Sequence, residues 1–157
     1  MMNIYTVSFF GHRHIENGAE IEKRLDKLLY DIITQKEYVE FLIGRDGEFD
    51  LLASCVIKNA IRRYAYGNTN FTLVLPYMKA EYRDNKRYYL DYYDEIEICS
   101  DSAKAHPKSA ILIRNQSMVD RSDLVICCIQ HKSGGAYKTV QYAYKQGKKI
   151  INLASEN

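Results

Sequence analysis

The sequence predicts an α/β fold in which a mostly parallel sheet forms the middle of a three-layer, Rossmann-like sandwich. Two observations predict it. Short, continuously apolar strand-like runs alternate in order with segments of helical periodicity. Runs that are apolar throughout suit strands buried on both faces, and parallel strands need crossovers whose right-handedness places helices outside the sheet.

The elements follow in order. Residues 4–10, IYTVSFF, read as a strand that ends at Gly11. Asn17 with Glu20 three positions on has the capping-box arrangement, and Ile21, Leu25, Leu28, Leu29 and Ile32 give the helix behind it one apolar stripe. A second strand, YVEFLI, ends at Gly44; the loop RDGEFD leads into a helix over 51–64 that buries Leu52, Val56, Ala60 and Ile61. A third strand, FTLVLPY, precedes a tyrosine-rich segment and a fourth strand, DEIEICS. DLVICCI and KIINLA complete the strands, with a helix over 136–146 between them that Gly147 stops. No low-complexity linker or solenoid-period repeat divides the chain, so residues 1–157 are read as one domain, long enough to bury roughly 70% of its unfolded surface.

Composition narrows the function. Apolar residues make up 46% and charged residues 27%, and the net charge is +2, which demands neither bulk nucleic-acid binding nor a membrane surface. The longest apolar runs fall far short of the roughly 20 residues of a membrane span, and no leader pattern opens the sequence, so a cytoplasmic protein without a membrane partner is expected. Cys55, Cys99, Cys127 and Cys128 lack metal or redox spacing and read as buried free thiols. His12 and His14 have no partners at metal spacing, so no metal site is expected, and no separate cofactor is implied.

In such sheets ligands sit beyond the carboxyl ends of the strands. That nominates GHRH (11–14), GRDGEFD (44–50), the segment after Pro76, RNQSMVDRSD (114–123) and HKSGGAYKT (131–139) as strand-exit loops. Gly134 and Gly135 let backbone N–H groups approach an anion at a helix start, and no Asp or Glu occurs from Leu124 to Ser155. Arg13 is a bidentate phosphate grip or a surface ion-pair partner. Asp50 is a helix cap or a pocket acid, while Asp46 and Glu48 are acids able to hold ribose hydroxyls or stabilise a developing oxocarbenium ion. The six tyrosines from Tyr77 to Tyr93 supply packing, a stacking surface for a base, or a subunit interface. No GxSxG, catalytic cysteine setting or GxxxxGK[ST] is present.

The ordered set FFGHR, FLIGRDGEFDLLAS, LVLPY, NKRYYLDYYDEIEICS, RNQSMVDRSDLVICCI and SGGAYKTVQYAYKQGKKI resembles the SLOG superfamily, the Rossmann-like group of Lonely Guy phosphoribohydrolases and DprA proteins, and most of all its YpsA-like branch. The likeness covers nearly the whole chain. It implies a pocket for a nucleotide-derived ligand at the loops after the first, second and fifth strands. Carried over by position, it nominates Gly11, His12, Arg13, Gly44, Arg45, Asp50, Ser133, Gly134, Gly135 and Thr139, with Arg114 and Asn115 as rim contacts before the VDRSD strand. Lonely Guy hydrolases carry PGGxGTxxE. Here Ser133 replaces the proline, Tyr137 and Lys138 stand at the Gly-Thr pair, and Gln141 stands at the glutamate, where an amide cannot do a carboxylate's work.

The resulting expectation is a protein that binds a nucleotide or nucleotide-derived small molecule, ADP-ribose-like or a cyclic signalling nucleotide, as sensor or sequestering protein without catalysis. A phage or bacterial defence setting would suit it, and the family resemblance implies a homo-oligomer. Two alternatives stay open: an N-glycosidase or phosphoribohydrolase with Glu48 or Asp46 as its carboxylate, and a single-stranded DNA-binding protein, which the small net charge disfavours.

Overall fold

The structure, a computed structural model, describes residues 1–155. Its strands are β1 (Ile4–Gly11), β2 (Tyr38–Ile43), β3 (Thr69–Leu75), β4 (Glu95–Ile98), β5 (Leu124–Cys128) and β6 (Lys149–Asn152). All pair in parallel, in the order β4-β3-β2-β1-β5-β6. The helices are α1 (Gly18–Gln35), α2 (Glu48–Tyr64), α3 (Ala80–Asp84), α4 (Lys86–Tyr92), α5 (Ser100–Ala103), α6 (Pro107–Asp120) and α7 (Gly134–Lys145). The predicted sandwich is thus observed, with an entirely parallel sheet among the described residues. None of these helices is long and apolar enough to cross a membrane.

Both faces of the sheet are covered, and the side chains divide by the strand period of two. Val7, Phe9, Phe41, Ile43, Leu73, Leu75, Ile126 and Cys128 pack with Ile21, Leu25, Leu29, Phe49, Ala53 and Ile57 of α1 and α2. Phe10, Leu42, Val74 and Val125 pack on the other face with Met118 and Val119 of α6 and Ala143 of α7. This is why the strands read as unbroken apolar runs.

The chain runs outward from β1 through β2 and β3 to β4, then returns to lay β5 on the other side of β1. The loops leaving β1 and β5 therefore diverge to opposite faces and open a crevice at their carboxyl ends. Close approach of loop and helix shapes its wall. Glu48 N–H and Phe49 N–H donate to the carbonyls of Arg13 (2.9 Å) and His12 (3.4 Å), so the first donors of α2 are spent on the loop after β1. A Cβ at Gly11 would lie 2.2 Å from the Phe49 ring, and one at Gly47 would lie 2.5 Å from the Arg13 Cα.

Four local expectations are corrected. The stretch 114–123 is not a strand-exit loop: α6 occupies it up to Asp120, started by Pro107 and by His106 Nδ1 accepting the Lys108 N–H. Its buried face carries Arg114 and Asn115 beside Ala110, Met118 and Val119, so no clean apolar stripe advertised a helix. Asn17 builds no capping box; it is left-handed (φ 58°) and makes no side-chain cap, while Glu20 turns to Arg24 Nε at 3.2 Å. Asp50 is not the α2 cap, because that helix starts at Glu48 behind Gly47. Cys99, Cys127 and Cys128 are buried free thiols, but Cys55 is exposed on α2.

Gly11→Ala tests the tight β1–α2 contact. The new methyl meets the Cβ and Cγ of the fully buried Phe49, where a rotamer change gives no escape. A loss of about 1–3 kcal/mol is expected from urea unfolding, with Gly18→Ala, whose added carbon meets only Leu52 at 3.4 Å, close to the wild type. Wild-type stability in Gly11→Ala would contradict this packing.

Candidate functional site

The crevice is a cleft of about 430 Å³ at the switch point, within the range of small-molecule sites. Its walls come from four segments: Gly11, His12, Arg13 and His14 after β1; Gly44, Asp46 and Asp50 after β2; Ile111, Arg114 and Asn115 on α6; and His131, Gly134, Gly135 and Ala136 at the start of α7.

Arg114 is 2% exposed, although a buried guanidinium costs several kcal/mol unless its donors are matched. They are matched across three elements. Nη2 donates to Asp46 Oδ2 at 2.5 Å, Nη1 to the Val74 carbonyl at 2.8 Å, and Nε to Asn115 Oδ1 at 2.9 Å. Asn115 Nδ2 passes the network to Thr139 Oγ1 at 3.1 Å, and Thr139 donates to the Gly135 carbonyl at 2.9 Å. Arg114 and Asn115 are thus buried supports rather than rim contacts. No side-chain nitrogen or oxygen is buried without a partner among the described residues.

The acids of GRDGEFD take three different states. Burial pushes the Asp46 carboxyl up, but Arg114 and Lys79, the latter at 3.0 Å, outweigh it and hold the group below its ordinary range. Asp50 is buried, lies beside the Asp46 carboxylate, and is pushed up to about 7 despite accepting the Asp46 N–H at 2.9 Å. Glu48 lies outside the cleft lining, where Oε2 accepts the Ile15 N–H at 3.1 Å and Oε1 meets His14 Nδ1 at 3.2 Å. That backbone bond, with His14, keeps its carboxyl below the usual value.

The cation-rich side is the loop after β1 and the start of α7. Arg13 is exposed and lines the cleft. Buried His12 stacks on His131, with ring centroids 3.7 Å apart and planes 8° from parallel. Burial, then the neighbouring His131, lower the His12 pKa, so its ring is neutral at neutral pH. α7 begins without a side-chain cap; Ser133 Oγ instead meets His131 Nδ1 at 2.9 Å. Its positive end is open, whereas that of α2 is closed by the loop.

Of the sequence-nominated residues, the structure brings Gly11, His12, Arg13, Gly44, Asp46, Asp50, Arg114, Asn115, Gly134 and Gly135 to one cleft. Thr139 is fully buried beneath it. Ser133 stands at the α7 cap, and Arg45 turns away to donate to the Tyr93 hydroxyl at 3.1 Å, its guanidinium 5.1 Å from the Tyr89 ring. Gln141 is exposed and outside the lining, so the residue type there does not decide the cleft's chemistry. Lys79, on Asp46, and Ile111, in the cleft wall, carry no local sequence signal of their place. A helix over 107–120 would have put Ile111 on the face of Arg114 and Asn115 by its i, i+3, i+4 spacing, whereas nothing in the sequence pairs Lys79 with Asp46.

No protein-family model matches the chain, and no curated protein matches it. Solved structures do share its fold. DNA processing protein A (DprA) from Streptococcus pneumoniae superposes with a TM-score of 0.66 at 14% identity, over 94% of this chain and 49% of that one. DprA from Helicobacter pylori, whose structure is described for its single-stranded DNA binding mode, gives 0.61 at 18%, over 93% and 63%. The molybdenum cofactor carrier protein of Chlamydomonas reinhardtii gives 0.58 at 16%, over 98% and 79%. The chain spans about half the length of the first of these and under two thirds of the second.

Asp50 makes stability depend on pH. Its folded pKa, about 7, lies above the ordinary 3.8, so folding is favoured fully below about 4 and loses that contribution as pH rises through about 7. Asp50→Asn keeps an acceptor for the Asp46 N–H and cannot ionise. Thermal melts should show the variant gaining on the wild type between pH 5 and pH 8, by on the order of 2–4 kcal/mol. Parallel pH profiles would contradict a buried carboxyl that resists ionisation.

Proposed function

We propose that this chain binds a nucleotide or nucleotide-derived small molecule, of the ADP-ribose-like or cyclic signalling kind, in the switch-point cleft and holds it without cleaving it, as a sensor or sequestering protein. The observation that carries the reading is Gly135. It has no positive φ, and a Cβ added there would meet nothing within 4 Å, so the fold itself gives no reason for a glycine. A ligand resting on the backbone does. Gly134, with φ 91°, shapes the turn, and the uncapped start of α7 presents N–H donors and a positive dipole end suited to phosphate.

The acids support holding over cutting. Asp46 is neutralised by Arg114 and Lys79, and Glu48 lies outside the cleft lining, held by the Ile15 N–H and His14. Asp50 is the remaining carboxyl, and with its pKa pushed up to about 7 it is only about half ionised at neutral pH, which weakens its repulsion of a phosphate. The likeness in fold to a cofactor carrier fits a binding role. Placement in the SLOG superfamily, on its YpsA-like branch, belongs to this proposal and rests on the ordered motifs together with the fold shared with DprA. Self-association through the tyrosine-rich segment, where Tyr88 and Leu90 are exposed, belongs to it too.

Single-stranded DNA binding is the second reading. It is favoured by the fold shared with DprA and by exposed Lys132, Lys138 and Lys145 on and beside α7. A steep fall in oligonucleotide affinity between low and moderate salt marks that mode.

Titration calorimetry against AMP, NAD, ADP-ribose and cyclic nucleotides is expected to find a saturable ligand, recovered intact after prolonged incubation. Gly135→Ala should lower its affinity at least about tenfold while shifting the melting temperature by no more than about 2 °C. Unchanged affinity in that variant would remove α7 from the site. Release of free base that is lost in Asp50→Asn would replace the binding reading with an N-glycosidase.

A further inference from the structure

The His12–His131 pair lies where the diverging loops after β1 and β5 meet again. Both rings line the cleft; His12 is buried and His131 is exposed. His131 is held from two sides, its backbone N–H donating to His12 Nε2 at 3.4 Å and its ring Nδ1 meeting Ser133 Oγ at 2.9 Å. One face of its ring is covered by His12 at 3.7 Å and its Nδ1 edge by Ser133. The exposure that remains therefore belongs to the opposite face and the Nε2 edge. A planar ring fixed before the ligand arrives loses little freedom on binding.

We propose that the open face of His131 is the nucleobase subsite of this cleft, a platform on which a planar heterocycle continues the His12–His131 stack while the ligand's phosphate rests at Gly134 and Gly135. The inference rests on the binding reading above and names which part of the ligand each loop takes. Gly134 follows His131 by three positions, at most about 11 Å of chain, a span that one nucleotide can bridge from base to phosphate. Stacking uses the π-face that every base has. The subsite therefore separates nucleotides from sugar phosphates and discriminates little among bases. His12 backs the platform from the buried side.

Calorimetric titration of AMP and of ribose 5-phosphate into the wild type, His131→Ala and His131→Phe tests the assignment, with thermal melts to show that each variant is folded. Loss of a stacked base corresponds to roughly 5–150-fold in affinity. His131→Ala should weaken AMP within that range and leave ribose 5-phosphate within about twofold, and His131→Phe should keep most of the AMP affinity. Equal weakening of both ligands by His131→Ala overturns the base subsite, because the loss would then lie in the sugar-phosphate part that both ligands share. A folded His131→Phe that behaves like His131→Ala also overturns it, because the polar edge rather than the ring face would then be responsible. If the wild type binds neither AMP nor ribose 5-phosphate, the base and phosphate subsites assigned to His131 and Gly134–Gly135 are overturned, whereas the binding reading itself fails only if the whole nucleotide panel fails.

Discussion

The arrangement of the cleft depends on one buried cation. Arg114 reaches from α6 to the loop after β2, to the end of β3 and, through Asn115 and Thr139, to the first turn of α7. Each connection satisfies a polar group that the interior would otherwise strand, so the segments that form the walls are fixed by the same requirement. Taking the guanidinium away would leave the Asp46 carboxylate with Lys79 alone and the Val74 carbonyl without this donor, the kind of loss that costs about 3–5 kcal/mol.

Close backbone approach completes what that network begins. Gly44 passes between Asp46 and Arg114, where an added carbon would lie 2.9 Å from the carboxylate and 3.0 Å from the guanidinium. Gly11 and Gly47 let the loop after β1 lie flat on the start of α2. The electrostatic outcome is a floor without net negative charge: the Asp46 carboxylate lies between two cations, Arg114 and Lys79, and Asp50 is only about half ionised at neutral pH. What remains unbalanced is positive, namely exposed Arg13 and the open start of α7. A site of this kind draws anions and orients them from one side.

Much of this was legible in the sequence because hydrophobic runs and glycine punctuation are local signals. The strands and α1, α2 and α7 followed from YVEFLI, DLVICCI and similar stretches, and the parallel sheet from their alternation with helices. The switch-point rule then brought GHRH, GRDGEFD and the paired glycines to one end. α6 was not legible, since a helix whose buried face carries Arg114 and Asn115 has no apolar stripe to show. The states of the three acids were not legible either. Asp46, Glu48 and Asp50 lie within five residues of one another, yet only the fold gives one of them two cations, one a place outside the cleft and one a buried seat. Gln141 shows the opposite error, a local motif comparison that lost its force once α7 turned that residue to solvent.

The central claim is that the cleft holds an intact nucleotide. Mass spectrometry of the supernatant released by denaturing protein purified from cells tests it most directly. A single nucleotide-derived mass at near-stoichiometric amount, absent when Gly135→Ala is treated in parallel, is the result predicted. Recovery of free base or ribose phosphate in place of the intact compound, or the same mass at the same amount from Gly135→Ala, would contradict the account.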